Sequence, residues 1–278
     1  MADSQAGRER SQDRTTGGVP PVKLYGLRHS HPVVTARMML EHTGIPFTQW
    51  NILPGLHLPV AWAAGFRPAT VPAVRLGDRR ITGTLSLSRA LDELAPDRPL
   101  FPADPSARQA VVDAEQWGHD ELQALARRVF RWAGERDNRV RAWMAREVIG
   151  WPFPTAFGYV FKPVMIFFGR VRAGATQESV RDDLARLPAL LDHADGLLAA
   201  GVIGGPQRNA ADFQILASLR LLMAHEDLRP VIEPHACGRA ALELLPAFPR
   251  EDDPLPPIPA VLPPEWLARP SVADPPAA

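Results

Sequence analysis

The chain has 278 residues, long enough for two small domains, and 46% of them are hydrophobic, as in a globular protein. Its 31 Lys+Arg balance 31 Asp+Glu, which leaves no basic excess to hold a nucleic acid. Cys237 is the only cysteine, so an intramolecular disulfide and a cysteine-built zinc site are excluded, and a reducing, cytoplasmic setting suits the chain.

Residues 1–20 are polar, charged and glycine-rich, and read as a disordered lead-in without the apolar core of a secretory signal. The run "VKLYGL", 22–27, suits a buried strand. In "HSHPVVTARMMLEHTG", Pro32 fits the first turn of a helix, Ser30 or His31 precedes it as the cap, and Gly44 closes it. Val33, Ala36, Met39 and Leu40 share one helical face, and Arg37 stands at its edge, placed to pair with an acid. "FTQWNI" reads as a second strand and "LPGLHLPVAWAAGFRPAT" as a looser connection. "VPAVRL" and "RRIT" flank the turn-prone pair Gly77-Asp78 as the arms of a hairpin, and "LSLSRALDEL", 85–94, returns to a helical period. Residues 21–95 are therefore expected to form one compact α/β unit.

Prolines at 96, 99, 102 and 105 mark residues 96–105 as a linker. Residues 106–248 are helical in pattern, with Thr176 and Glu178–Ser179 as a cap region before the longest apolar-periodic run. Residues 249–278 are dense in proline and predict an extended tail, with Trp266 and Leu267 either anchoring it to the body or part of a loose end. Between these lies "GWPFPTAFGYVFKPVMIFFGR", 150–170, whose three prolines and lysine argue against a spanning helix. Its rings, Trp151, Phe157 and Tyr159 among them, fit core packing on one reading. On the other they form an apolar wall for a hydrophobic substrate, or a patch that touches a membrane or a partner.

Ser30 carries two readings of its own. A serine before a proline in the first helical turn is an ordinary cap, worth about 1 kcal/mol. The same hydroxyl, beside the unpaired N–H groups and partial positive charge of a helix start, can also stabilise a bound thiolate. Lowering a thiol pKa by about two units takes roughly 2.7 kcal/mol of preferential thiolate stabilisation. His29 or His31, if protonated, would add positive charge. No third ligand at a suitable spacing completes a metal site with these histidines, and no Gly-x-Ser-x-Gly elbow makes Ser30 a hydrolase nucleophile.

Three pieces in order, "LYG" with Ser30 and "AR..LE..GI", then Val71-Pro72, then "RNAADFQIL" (208–216), resemble the glutathione S-transferase superfamily over residues 22–225. The resemblance implies a thioredoxin-like N-terminal domain followed by an all-helical bundle. It implies Ser30 as the catalytic residue and glutathione, or another low-molecular-weight thiol, as co-substrate, with no metal. In such a fold Pro72 follows a cis bond, Val71 offers its backbone to the thiol, and His31 and His57 stand at the thiol site. Asn209 and Asp212 match the structural cap of the helical domain. The resemblance also implies a hydrophobic electrophile as second partner and, as in many members, a homodimer. Two positions depart from the pattern. Gly83 replaces the usual acid before Thr84, so the thiol's ammonium loses its carboxylate partner, and Thr70 replaces the basic residue often found before the Val-Pro pair. The expected function is conjugation of a small thiol to a hydrophobic electrophile. The alternatives are a non-catalytic binding or scaffold protein of the same fold and a thiol-dependent isomerase of lipid-like substrates.

Overall fold

The structure is a computed structural model that describes residues 21–28, 30–53, 55–149, 152–246 and 254–267. Its first half is a four-stranded sheet ordered β2-β1-β3-β4, built from β1 (Val22–Gly26), β2 (Phe47–Asn51), β3 (Ala73–Leu76) and β4 (Arg79–Thr82). β1 runs parallel to β2, with Val22 opposite Phe47, and antiparallel to β3, with Leu24 opposite Val74. β3 and β4 form the hairpin around Gly77-Asp78, and Gly77 takes the positive φ (57°) that the tight turn needs. Leu24, Val74 and Ile81 point from successive strands into one core.

Helix α1 (His31–Thr43) crosses from β1 to β2. Val33, Ala36, Met39 and Leu40 are all buried, which is the face their spacing predicts. Gly44 ends the helix at φ 70°, its N–H donating to the Glu41 carbonyl while that of Ile45 reaches the Leu40 carbonyl. Arg37 pairs with Glu41 one turn on, at 3.7 Å. The connection after β2 is not structureless. It holds a two-turn helix, α2 (His57–Ala63), which buries only His57 and Ala61 and so leaves little periodic signal in the sequence. Helix α3 (Thr84–Leu94) completes the unit.

The proline-rich connection that follows is tied down rather than loose. Leu100 and Phe101 are buried, and their N–H groups donate to Asp92 Oδ1 at 2.9 and 3.1 Å. The helical half then begins with α4 (Pro105–Trp117), which runs through a π-helical stretch, Gly118–Gln123, into α5 (Ala124–Arg136). Next come α6 (Asn138–Trp143), α7 (Pro154–Val160) and α8 (Lys162–Ile166), followed by the long α9 (Gln177–Ala199). The bundle ends with α10 (Ala210–Leu222), α11 (Arg229–Ile232) and α12 (Ala236–Leu244). All thirteen residues of α10 are buried, so this helix is the axis of the bundle. It also joins the halves: the Thr35 hydroxyl on α1 lies 3.2 Å from the Phe213 carbonyl on α10.

Two segments left with two readings each take one of them. Residues 152–170 are not simply core. Phe153 is 70% exposed and Tyr159 67%, while Met165 and Gly158 face inward, because prolines cut the segment into short helices that lie along the surface. The proline-dense end is not a free tail over its described part. Leu255, Ile258, Val261 and Leu262 are buried against the bundle, and Trp266 packs on it. Proline has no backbone N–H to satisfy, so an extended strap can lie on a helical surface without orphaned donors. The reading of Leu267 as an anchoring side chain lies outside the described side chains.

Candidate functional site

The two halves enclose one cleft of about 210 Å³ at the start of α1. Leu27, Ser30, His31, Pro32, Thr70 and Val71 line it from the sheet side, with His57 and Leu58 from α2. The bundle contributes Arg127, Phe130 and Arg131 from α5, Trp143, Met144, Phe161, Val164 and Met165, and then Phe168 and Arg172.

Ser30 occupies the N-cap position in an extended conformation (φ −63°, ψ 128°). Its backbone does the capping work. The Ser30 carbonyl accepts from Val33 and Val34 at 2.8 and 2.9 Å, and its N–H donates to the Leu27 carbonyl at 3.1 Å. Its hydroxyl makes no capping hydrogen bond. The hydroxyl of a cap serine ordinarily accepts from the second or third helical N–H. Here the second helical residue is Pro32, which has no N–H, and the third, Val33, is already held by the Ser30 carbonyl, so the hydroxyl is not needed as a cap. Opposite stands Val71, whose bond to Pro72 is cis, as is Arg67–Pro68. The Pro72 carbonyl accepts from Gly83 N–H at 2.9 Å, which links this turn to the start of α3.

Four of the seven residues expected to form the thiol site, counting Ser30, come together in the cleft: Ser30, His31, His57 and Val71. Pro72, Gly83 and Thr84 stand beside it, not on its wall. Gly83 takes φ 84°, and a Cβ there would meet nothing within 4 Å, so no side chain reaches from this position toward a ligand's ammonium. The Thr84 hydroxyl is buried without a hydrogen-bond partner among the described residues, in a side chain 1% exposed. Among the rings singled out in the sequence, Trp151 lies outside the described residues, and Phe157 and Tyr159 do not line the cleft. Phe157 instead stacks on Phe161, 4.8 Å between centroids, and Phe161 with Phe168 forms the apolar wall.

The histidines are uncharged, contrary to the idea that His31 supplies positive charge. Burial, helped by the nearby charges of Arg127 and Arg131, lowers the His31 pKa to about 3. Burial likewise takes His57 to about 4, again with Arg131 contributing. His57 Nδ1 accepts from Gly55 N–H at 3.2 Å, and its ring lies 5.0 Å from that of Phe168. His29 lies outside the described residues.

Positive charge comes instead from α5. Arg127 and Arg131, one turn apart, are half-buried on the cleft wall, and Arg172 stands at the rim. Arg131 donates to the Phe168 carbonyl at 3.0 Å, and its guanidinium lies 5.8 Å from the Phe168 ring. Sequence reasoning missed this pair, because arginines four apart on an amphipathic helix carry the same signature as a solvated face. Asn209 and Asp212 are structural, and both halves of a capping box are formed. Asn209 Oδ1 accepts from Ala211 and Asp212 N–H, and Asp212 Oδ2 accepts from Asn209 N–H at 2.9 Å. Among the described residues, no three His, Cys, Asp or Glu side chains gather as a metal site. Nor is any described helix long and apolar enough to cross a membrane.

Residues 24–99 match the family model described as the glutathione S-transferase N-terminal domain. No curated protein matches the chain. Solved structures of the same fold include the beta-etherase LigF from Sphingobium sp. strain SYK-6, at 17% identity over 82% of this chain and 96% of that one, with a TM-score of 0.58. A glutathione transferase from Populus trichocarpa matches at 16% identity over 82% and 94%, TM-score 0.57. A glutathione S-transferase from Methylobacterium radiotolerans, in complex with glutathione sulfonate, matches at 16% over 86% and 96%, TM-score 0.53. A thioredoxin-like sheet domain matched by that family's own model over residues 24–99, followed by a helical bundle in the same arrangement, gives the chain the fold of the glutathione S-transferases.

Proposed function

We propose that the chain is a glutathione S-transferase-like enzyme that binds a low-molecular-weight thiol at the start of α1 and conjugates it to a hydrophobic electrophile. One observation carries this reading. Ser30, with a hydroxyl that makes no capping bond, and Val71, before its cis bond to Pro72, face the same cleft. There the hydroxyl and the partial positive charge of the helix start stabilise the thiolate, and the Val71 backbone aligns the thiol's peptide portion. The thiolate sulfur attacks the electrophilic carbon held against Phe161 and Phe168, the carbon–sulfur bond forms, and the leaving group departs with its electron pair. A cytoplasmic setting suits a reduced thiol co-substrate, and the one cysteine of the chain is free and buried.

The test is turnover of glutathione with 1-chloro-2,4-dinitrobenzene by the wild type and by Ser30→Ala. A fall of about tenfold or more is expected, the scale of one lost charge-assisted hydrogen bond. Equal turnover removes Ser30 from the mechanism. Gly83 favours a second reading, a binding protein of the same fold, since no side chain there reaches a glutathione ammonium. Calorimetry separates the two: a binding protein takes up glutathione without turnover, and the enzyme does both.

A further inference from the structure

The cleft has a one-signed charge pattern. Its lining contains three arginines, Arg127, Arg131 and Arg172, and no aspartate or glutamate. Both histidines that face it are neutral. Among the described residues none of the three arginines has a salt bridge. Two acids that flank Arg127 and Arg131 in the chain are committed elsewhere: Glu121 pairs with Arg186 and Glu135 with Arg170. Two half-buried like charges one turn apart repel, and desolvation without a counter-charge adds to that cost. The wall they stand on is otherwise apolar: Phe130, Trp143, Met144, Phe161, Val164 and Phe168.

We infer that the second substrate is an amphipathic anion: an apolar, ring-sized skeleton bearing a carboxylate or an equally charged oxyanion, which Arg127 and Arg131 clamp while Phe161 and Phe168 hold the skeleton. Guanidinium forks suit such oxyanions because they donate two parallel hydrogen bonds. Arg172, exposed at the rim, steers the anion inward. This rests on the transferase reading above and names the class of its electrophile.

A matched pair of probes tests it, 4-chloro-3-nitrobenzoate and 4-chloro-3-nitrobenzamide, with glutathione as the thiol. In each, sulfur bonds to the ring carbon that carries chlorine, chloride leaves with the bonding pair, and the thiol proton passes to solvent. Each kcat/KM is divided by the uncatalysed rate for the same probe. The expected result is a preference for the benzoate of about tenfold or more, the scale of a charge-assisted hydrogen bond. That preference should fall about tenfold in the double variant R127Q/R131Q and persist in R127K/R131K. Arg172→Gln, at an exposed site, should reduce it by a smaller factor and more strongly at low salt, which keeps the idea testable if the double variant fails to fold. Equal use of both probes by the wild type overturns the inference and leaves the transferase reading intact. A loss in R127Q/R131Q shared equally by both probes also overturns it, and assigns the arginines to the thiol. If neither probe turns over, calorimetry decides: arginine-dependent binding of the benzoate alone upholds the anion site while the transferase reading falls, and absent or equal binding ends both.

Discussion

The starts of α1 and α10 are both helix N-termini preceded by a good capping residue, yet they are used in opposite ways. At α10 the polar groups close on each other. Asn209 accepts from two helix N–H groups and donates to the Val202 carbonyl at 2.8 Å, and Asp212 takes the N–H groups of Asn209 and Gly204. Nothing is left over, and the site sits inside the bundle. At α1 the Ser30 backbone does the capping, its side chain makes no capping bond, and the residue faces a cleft. A helix start can stabilise its own fold or a ligand's charge, and the side chain at the cap decides which.

Breaking the closed end should cost the most. Asp212→Ala orphans the N–H groups of Gly204 and Asn209 and removes the partner of Arg208, so a loss of about 3 kcal/mol in urea unfolding is expected. A loss under about 1 kcal/mol would mean that the box is dispensable. Next comes acid acting at the open end. The folded state holds His31 at a pKa of about 3, against 6.5 for the free side chain. The depressed pKa means that the fold prefers the neutral ring, so the contribution is complete above about pH 6.5 and is lost as pH falls toward 3. Between pH 7.5 and 5 the wild type should lose about 2 kcal/mol more than His31→Asn does, measured by urea titration at both pH values. Parallel pH profiles would show that His31 titrates normally.

Asn209→Ala is expected to cost about 1 to 2 kcal/mol, the size of an ordinary N-cap. Ser30→Ala should change stability by less than about 0.5 kcal/mol, because no capping bond is lost, while thiol turnover falls. A loss of about 1 kcal/mol for Ser30→Ala would mean that its hydroxyl caps α1 in solution, and the contrast between the two helix starts would disappear.

The sequence revealed features set by neighbouring residues. The apolar face of α1, the glycine that ends it, the hairpin around Gly77-Asp78 and the Asn209–Asp212 box all follow from spacings of a few residues. What escaped it depends on distant parts of the chain. α2 buries too few side chains to leave a period. The rings of residues 152–170 divide between solvent and cleft in a way that composition does not encode. Arg127 and Arg131 become site residues only because α5 turns them toward α1. The burial that keeps His31 neutral cannot be seen from its neighbours in sequence.

The strap formed by residues 254–262 has a consequence for how this protein can be handled. Leu255 pairs beside His225, and the Ala260 carbonyl accepts from Gln177 and Arg181 at the beginning of α9, so the strap seals a seam between two helices far apart in the chain. A shortened version ending before Pro254 would uncover that greasy strip and bring copies together in solution, even though none of the described residues it deletes lines the cleft. Trimming the proline-dense end to ease crystallisation would thus trade a monodisperse sample for a sticky one.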